Sequence, residues 1–248
     1  MRKLLFLSVI LLLPVFAAAS GSDMKLLEPA IDLKDSTSLQ RGARLFVNYC
    51  LSCHNASLMR YNRMGLDIGL TDDQIKNNMM FATDKVGDTM KVAMSSEDAA
   101  MWFGTQPPDL SVVSRSRGVE WLYSYLLGFY KDANPSRPFG VNNVVFRDVG
   151  MPHVLLGLQG VQERKLRDAE AAQHHVSQGM GDLELVQPGF MDASEYRNAV
   201  ADLVAFLAYI GEPAKLQRQE LGLWVLVFLA LLFGFAYFLK REYWKDIH

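Results

Sequence analysis

The stretch YCLSCHNAS, Tyr49 to Ser57, holds both cysteines of this 248-residue chain, with two residues between them and a histidine directly after the second. Two chemistries compete for it. Paired cysteines in an exported protein ordinarily form a disulfide, and Cys-x-x-Cys also serves thiol–disulfide exchange. Cys-x-x-Cys-His, in contrast, is the attachment pattern of c-type haem. One turn of helix sets the two sulfurs where each forms a thioether to a haem vinyl group, and the next residue carries its imidazole to the iron. The pattern occurs once. The expectation is one covalent haem c, with Cys50 and Cys53 as thioether links and His54 as the proximal axial ligand.

The ends of the chain agree with export. MRKLLFLSVILLLPVFAAAS opens with Arg2 and Lys3, continues as an apolar run and closes on Ala17-Ala18-Ala19. Residues 1–19 therefore read as a secretory signal peptide. Residues 221–239, LGLWVLVFLALLFGFAYFL, contain no charge. As a helix they would reach roughly 28 Å, about one hydrocarbon core, and so read as a transmembrane span. Lys240, Arg241 and Lys245 follow it, which predicts a cytoplasmic tail at 240–248 and an exported domain at 20–220. That domain carries 20 Lys and Arg against 25 Asp and Glu. A mild acidic excess argues against nucleic acid. It fits either a basic partner or ordinary solubility.

The motif sits at the end of a helical pattern. In LQRGARLFVNYCLSCH, the side chains of Leu45, Phe46, Tyr49, Cys50 and Cys53 share one face. Gly42 allows close packing against another backbone or simply starts the helix. The iron's sixth position decides the chemistry: open for ligand binding or peroxide reactions, closed for electron transfer. Among the histidines, His174 and His175 lie in a polar stretch, His248 follows the span, and His153 has apolar neighbours that suit a core or interface residue. Twelve methionines make composition uninformative. By position Met191 leads, with Met151 and Met180 behind it. Met191 follows the turn residues Pro188 and Gly189 and precedes a helix start, where Asp192 and Glu195 form a capping-box pattern. Tyr196, Val200, Leu203, Val204, Leu207 and Ile210 then make an apolar stripe, ended by Gly211 and Pro213.

Four stretches together resemble the cytochrome c1 family, the haem subunit of the cytochrome bc1 complex, in its compact bacterial form. They are CLSCHNASLMRYNR, QPPDLSVVSRSRGVEWLYSYLLGFY, VGMPHVLLGLQG, and GFMDASEY with FLAYIGEP before the C-terminal anchor. The resemblance covers nearly all of the chain after residue 19. It implies an all-α cytochrome c-type haem domain on one transmembrane helix, held at the bacterial inner membrane with the haem domain in the periplasm. It implies Met191 as the sixth ligand, Arg117 on a haem propionate, and Pro108 and Leu110 lining the haem. Trp121 stands where the family often has an aromatic near the haem, and core packing explains it equally well. Arg115 is a weaker propionate candidate. Asn62 departs from the arginine that often follows Tyr61. The segment from Leu155 to Pro188 is longer and more polar than in mitochondrial relatives and reads as a surface loop.

The function implied is one-electron transfer in respiratory quinol oxidation, from a Rieske iron–sulfur protein to a cytochrome c, with cytochrome b and membrane lipid as the other partners. No side chain is expected to do acid–base catalysis. Helices are expected near 38–53, 95–103, 117–130 and 193–210. Two rivals stand beside this reading: a haem enzyme or ligand sensor with an open iron, and an anchored electron shuttle that works without a bc1 complex.

Overall fold

The computed structural model describes residues 24–165 and 180–245. The signal-peptide reading and the expectations for His174, His175 and His248 fall outside those residues. The body is built on two crossed helices from opposite ends of the domain. The first, α1 (Ser36–Tyr49), is capped by the Asp35 side chain, which accepts from the Thr37 and Ser38 amides. It buries Leu39, Ala43, Phe46 and Val47. The second, running Ala193–Gly211, starts at Asp192 with the capping box expected from the sequence, and its whole apolar stripe is buried.

These helices touch at Gly42. A Cβ there would lie 2.1 Å from the Asp202 carbonyl oxygen, so only glycine lets the two backbones meet. Phe46 and Phe206 pack beside the crossing at 5.5 Å between ring centres. Asp202 ties it from outside. Its carboxylate accepts from Arg41 Nε at 2.6 Å and from the Ser38 hydroxyl at 2.5 Å.

Between them the chain runs β1 (Ala56–Arg60), α2 (Tyr61–Ile68), α3 (Asp72–Met79), β2 (Thr89–Met90), α4 (Ser96–Phe103), α5 (Val113–Arg117) and α6 (Val119–Leu127). It continues as β3 (Phe129–Lys131), β4 (Val141–Asn143), α7 (Leu156–Gln159), β5 (Gly160–Arg164), a 3-10 turn (Met180–Asp182) and β6 (Leu183–Pro188). Ala193–Gly211 is then α8, and α9 (Lys215–Tyr243) follows.

The fold is mostly helical, as expected, with three two-stranded antiparallel ladders among the described residues: β1 with β2, β3 with β4, and β5 with β6. Strands this short contain too few alternations to announce themselves in sequence. The stretch from Leu155 to Pro188, expected as a surface loop, contains regular elements among its described residues. There α7 leads into β5, and β5 pairs back onto β6 from Gly160↔Pro188 to Arg164↔Leu183. The haem-motif helix also ends earlier than residue 53. Phe46 O accepts from both the Cys50 and the Leu51 amides, which closes the helix at Tyr49 and leaves the cysteines in a tight turn.

Helix α9 has no buried residue. It is long and apolar enough, by length and composition, to cross a membrane. It extends past the apolar run 221–239 at both ends. Its 29 residues give a length of about 43 Å.

Candidate haem site

The turn after α1 is held by its own backbone. Cys53 N and His54 N both donate to Cys50 O, at 3.0 and 2.8 Å. Cys50 is buried and Cys53 half-buried, both as free thiols. Burial, with Cys53 beside it, pushes the Cys50 thiol up to about 12. Disulfide exchange needs an accessible thiolate, which the buried Cys50 does not offer.

A second segment fixes the histidine. His54 Nδ1 lies 2.8 Å from the Pro108 carbonyl. A backbone carbonyl only accepts, so Nδ1 carries the proton and the Nε2 lone pair is left for a metal. Burial pushes the imidazole below its ordinary value, against the opposing pull of that carbonyl and of the Asp109 charge. Asp109 clamps the same segment to β1: its two oxygens accept from Ser57 N at 3.0 Å and Ser111 N at 2.8 Å. Leu110 N donates to Asn55 O at 2.8 Å, and Leu58 N donates to the Ser111 hydroxyl at 3.0 Å. Pro-Pro-Asp-Leu-Ser is thus a bracket that orients the imidazole, a role for Asp109 and Ser111 that residue types alone did not reveal.

Both segments face one cavity of about 350 Å³, within the range of cofactor pockets. Cys50, Cys53, His54, Pro108, Leu110, Arg117 and Trp121 all line it. The other lining side chains are overwhelmingly apolar and include Leu203 and Leu207 of α8. The donor set, two thiols and one imidazole with a free nitrogen, fits a covalently held haem, and the greasy wall fits a macrocycle.

Met191 does not line this cavity; Met151 does. The Met191 amide donates to Leu158 O at 3.1 Å, and the side chain packs half-buried against the core. It sits at the entry to α8 as expected, but packing, not the cavity, receives it. Met180 lines a different cavity, beside Gln162 and Arg197. Met151 lies in a loop that leaves Asp148 in left-handed backbone conformation, at φ 60°. Arg137 Nη2 holds the Asp148 carboxylate at 2.7 Å, and the Asp148 amide donates to Asn142 Oδ1 at 2.9 Å.

An aromatic strip backs this loop. The Arg117 guanidinium lies 5.2 Å over the Trp121 ring. Trp121 stacks on Tyr125 at 4.9 Å, Tyr125 meets Phe129 edge-on at 5.1 Å, and Phe129 stacks on His153 at 4.7 Å. Trp121 is therefore both a cavity residue and a packing residue. His153 serves as the expected core histidine: it is half-buried, with no hydrogen-bond partner for Nε2, and burial lowers its pKa to about 4. Arg115 is exposed and Tyr61 fully buried. The signal for Met151 was present in VGMPHV, the one candidate methionine flanked by glycine and proline.

The cytochrome C1 family model matches residues 28–247. Cytochrome c1 of Allochromatium vinosum is 46% identical over the full length of both chains. A Nitrosomonas europaea protein named as an ammonia monooxygenase gamma subunit is 47% identical, also over both full lengths. Cytochrome c1 of Rhodospirillum rubrum is 27% identical over 86% of this chain and 83% of its own.

Proposed function

The chain belongs to the cytochrome c1 family, and from that premise we propose that it holds one covalent haem c between His54 and Met151 and relays single electrons within a bc1 complex. The family is the haem subunit of that complex in bacteria and mitochondria, and its role is electron transfer rather than catalysis of its own. The observation that carries the finer reading is the cavity, which gathers Cys50, Cys53, His54 and Met151 in one apolar enclosure.

When bound, haem supplies the one-electron couple. The chain's residues do the rest. Cys50 and Cys53 would tether the group. The Pro108 carbonyl holds His54 in the tautomer that offers Nε2. Arg117, at the rim, offers a guanidinium for a propionate. The apolar wall excludes water and so favours the state of lower charge. Met151 replaces Met191 as the proposed distal ligand, because the cavity receives it and does not receive Met191. The donors proposed are a Rieske protein and the acceptor a cytochrome c, with cytochrome b beside α9. The basic residues after the apolar run support a periplasmic haem domain and a cytoplasmic C-terminus.

Two measurements test this. Purification of the full-length chain from its own membranes should bring cytochrome b and a Rieske protein with it. Recovery with monooxygenase subunits instead would favour the setting named for the Nitrosomonas relative. The visible spectrum of the purified protein should be low-spin and unaffected by carbon monoxide. Ready carbon monoxide binding by the wild type would move the open-iron reading ahead.

A further inference from the structure

We propose that Tyr125 is a positioning residue for the distal sulfur: its phenol hydrogen-bonds Met151 Sδ, aims that sulfur into the cavity and weakens it as an electron donor. The inference rests on the reading of Met151 as the ligand. The hydroxyl lies 3.3 Å from the sulfur. A thioether sulfur has two lone pairs, so one can bind a metal while the other accepts this hydrogen bond.

Tyr125 is not free to point elsewhere. Trp121 covers one face of its ring, nearly parallel at 8°, and Phe129 abuts its edge at 68°. Phe129 stacks in turn, at 11°, on His153, two residues beyond Met151. The strip that fixes the phenol therefore also grips the loop that carries the sulfur, and the two partners are held from the same side.

The hydroxyl is also out of place unless it has this partner. The cavity wall around it is apolar, and a hydroxyl left without a hydrogen bond there is costly. Among the described residues, the hydrogen bond this hydroxyl makes is the one to Met151 Sδ. A phenylalanine would fill the same stack at no such cost. A hydroxyl retained in this wall thus points to the sulfur as its purpose.

The electronic consequence has a definite sign. A hydrogen bond donated to the sulfur draws density from it. Density donated by the sulfur favours the oxidised iron, whereas the neutral thioether as a whole, a soft ligand, favours the reduced iron. Removing the bond should therefore favour the oxidised state and lower the reduction potential. A neutral hydrogen bond corresponds to about a fivefold change in the redox equilibrium, which is about 40 mV at 59 mV per tenfold for one electron.

The test uses the full-length, haem-loaded protein with three variants: Tyr125→Phe, Met151→Leu and the pair together. Reduction potential and the weak red sulfur-to-iron band are the readouts, since a purely structural tyrosine would move neither. Tyr125→Phe should lower the potential by about that fivefold and shift the band, with the iron still low-spin. In the Met151→Leu background, adding Tyr125→Phe should move the potential no further. An unmoved potential and band in Tyr125→Phe, while Met151→Leu opens the iron, would overturn this inference alone. A full-sized shift that persists in the double variant would overturn it too, because Tyr125 would then act by another route. If Met151→Leu leaves spectrum and potential unchanged, the ligand reading fails and the inference falls with it.

Discussion

The two walls of the cavity are built in opposite ways. The His54 wall is held by hydrogen bonds: the turn closes on Cys50 O, the imidazole on Pro108 O, and Asp109 staples β1 to the bracket. The Met151 wall is backed mainly by rings, Trp121 on Tyr125, Tyr125 edge-on to Phe129 and Phe129 on His153, with polar ties from Arg137 and Asn142 only at the loop's Asp148. Hydrogen bonds need defined partners at defined spacing, so the first wall leaves a motif. Ring packing tolerates many sequences, so the second leaves almost none.

The sharpest way to break the comparison is to exchange the candidate ligands. Met151→Leu should convert a closed iron into one that binds carbon monoxide and should lower the potential strongly. Met191→Leu is a nearly volume-conserving change in a packed, half-buried place and should cost less than about 1.5 kcal/mol, with the spectrum unaltered. The opposite pattern of carbon monoxide binding would restore Met191 and dismiss the cavity argument.

The next effect concerns the platform beneath the His54 wall. Gly42→Ala drives a Cβ into the Asp202 carbonyl. Backbone cannot yield as a side-chain tip can, so α1 and α8 must separate. Denaturant unfolding of the full chain should show a loss of about 3 kcal/mol, the upper part of the overpacking range. A loss under about 0.5 kcal/mol would mean that the crossing is looser than its geometry.

What was legible in the sequence follows the same division. The motif, the capping box at Asp192 and the charge-free run at 221–239 each depend on local chemistry, and each could be read residue by residue. Gly42 was readable either as a close contact or as a helix start, and the structure makes it the contact, with Asp202 as the partner. Met191 stood out in the sequence because a residue before a well-capped helix looks presented to something. It is, but to Leu158 and the core. Only the long-range return of the loop after Asp148 brings Met151 to the cavity, and that path depends on Arg137 and Asn142, both remote from any motif. The short ladders were missed for lack of length.

A smaller effect sharpens the hydrogen-bonded wall. Asp109 pays a burial penalty that raises its pKa, but the Ser111 and Ser57 hydrogen bonds outweigh it, and the carboxyl sits below its ordinary 3.8. Folding thus favours the charged form. That stability is present above pH 3.8 and is lost as pH falls through the lower folded value. Asp109→Asn should cost about 1 kcal/mol at neutral pH, kept small because the carboxylate is exposed. The difference from wild type should shrink as the pH drops below that range. A pH-independent difference would point to lost shape rather than lost charge.

The smallest effect tests whether the ringed wall is one unit. Arg117 caps the strip through its face-on contact with Trp121, and it is exposed, so the contact is worth about 0.5 kcal/mol. Arg117→Gln should lower thermal stability by that amount together with whatever its contact with a propionate contributes. Arg117→Lys should recover little of it, because a compact, strongly hydrated ammonium stacks on aromatic faces less well than a guanidinium. The decisive readout lies at the other end of the strip. If Trp121, Tyr125 and Phe129 are fixed mainly by each other, loss of the cap leaves Met151 in place and carbon monoxide excluded. If carbon monoxide enters in Arg117→Gln, the stack is not self-supporting, and the rim and the distal loop must be treated as a single element.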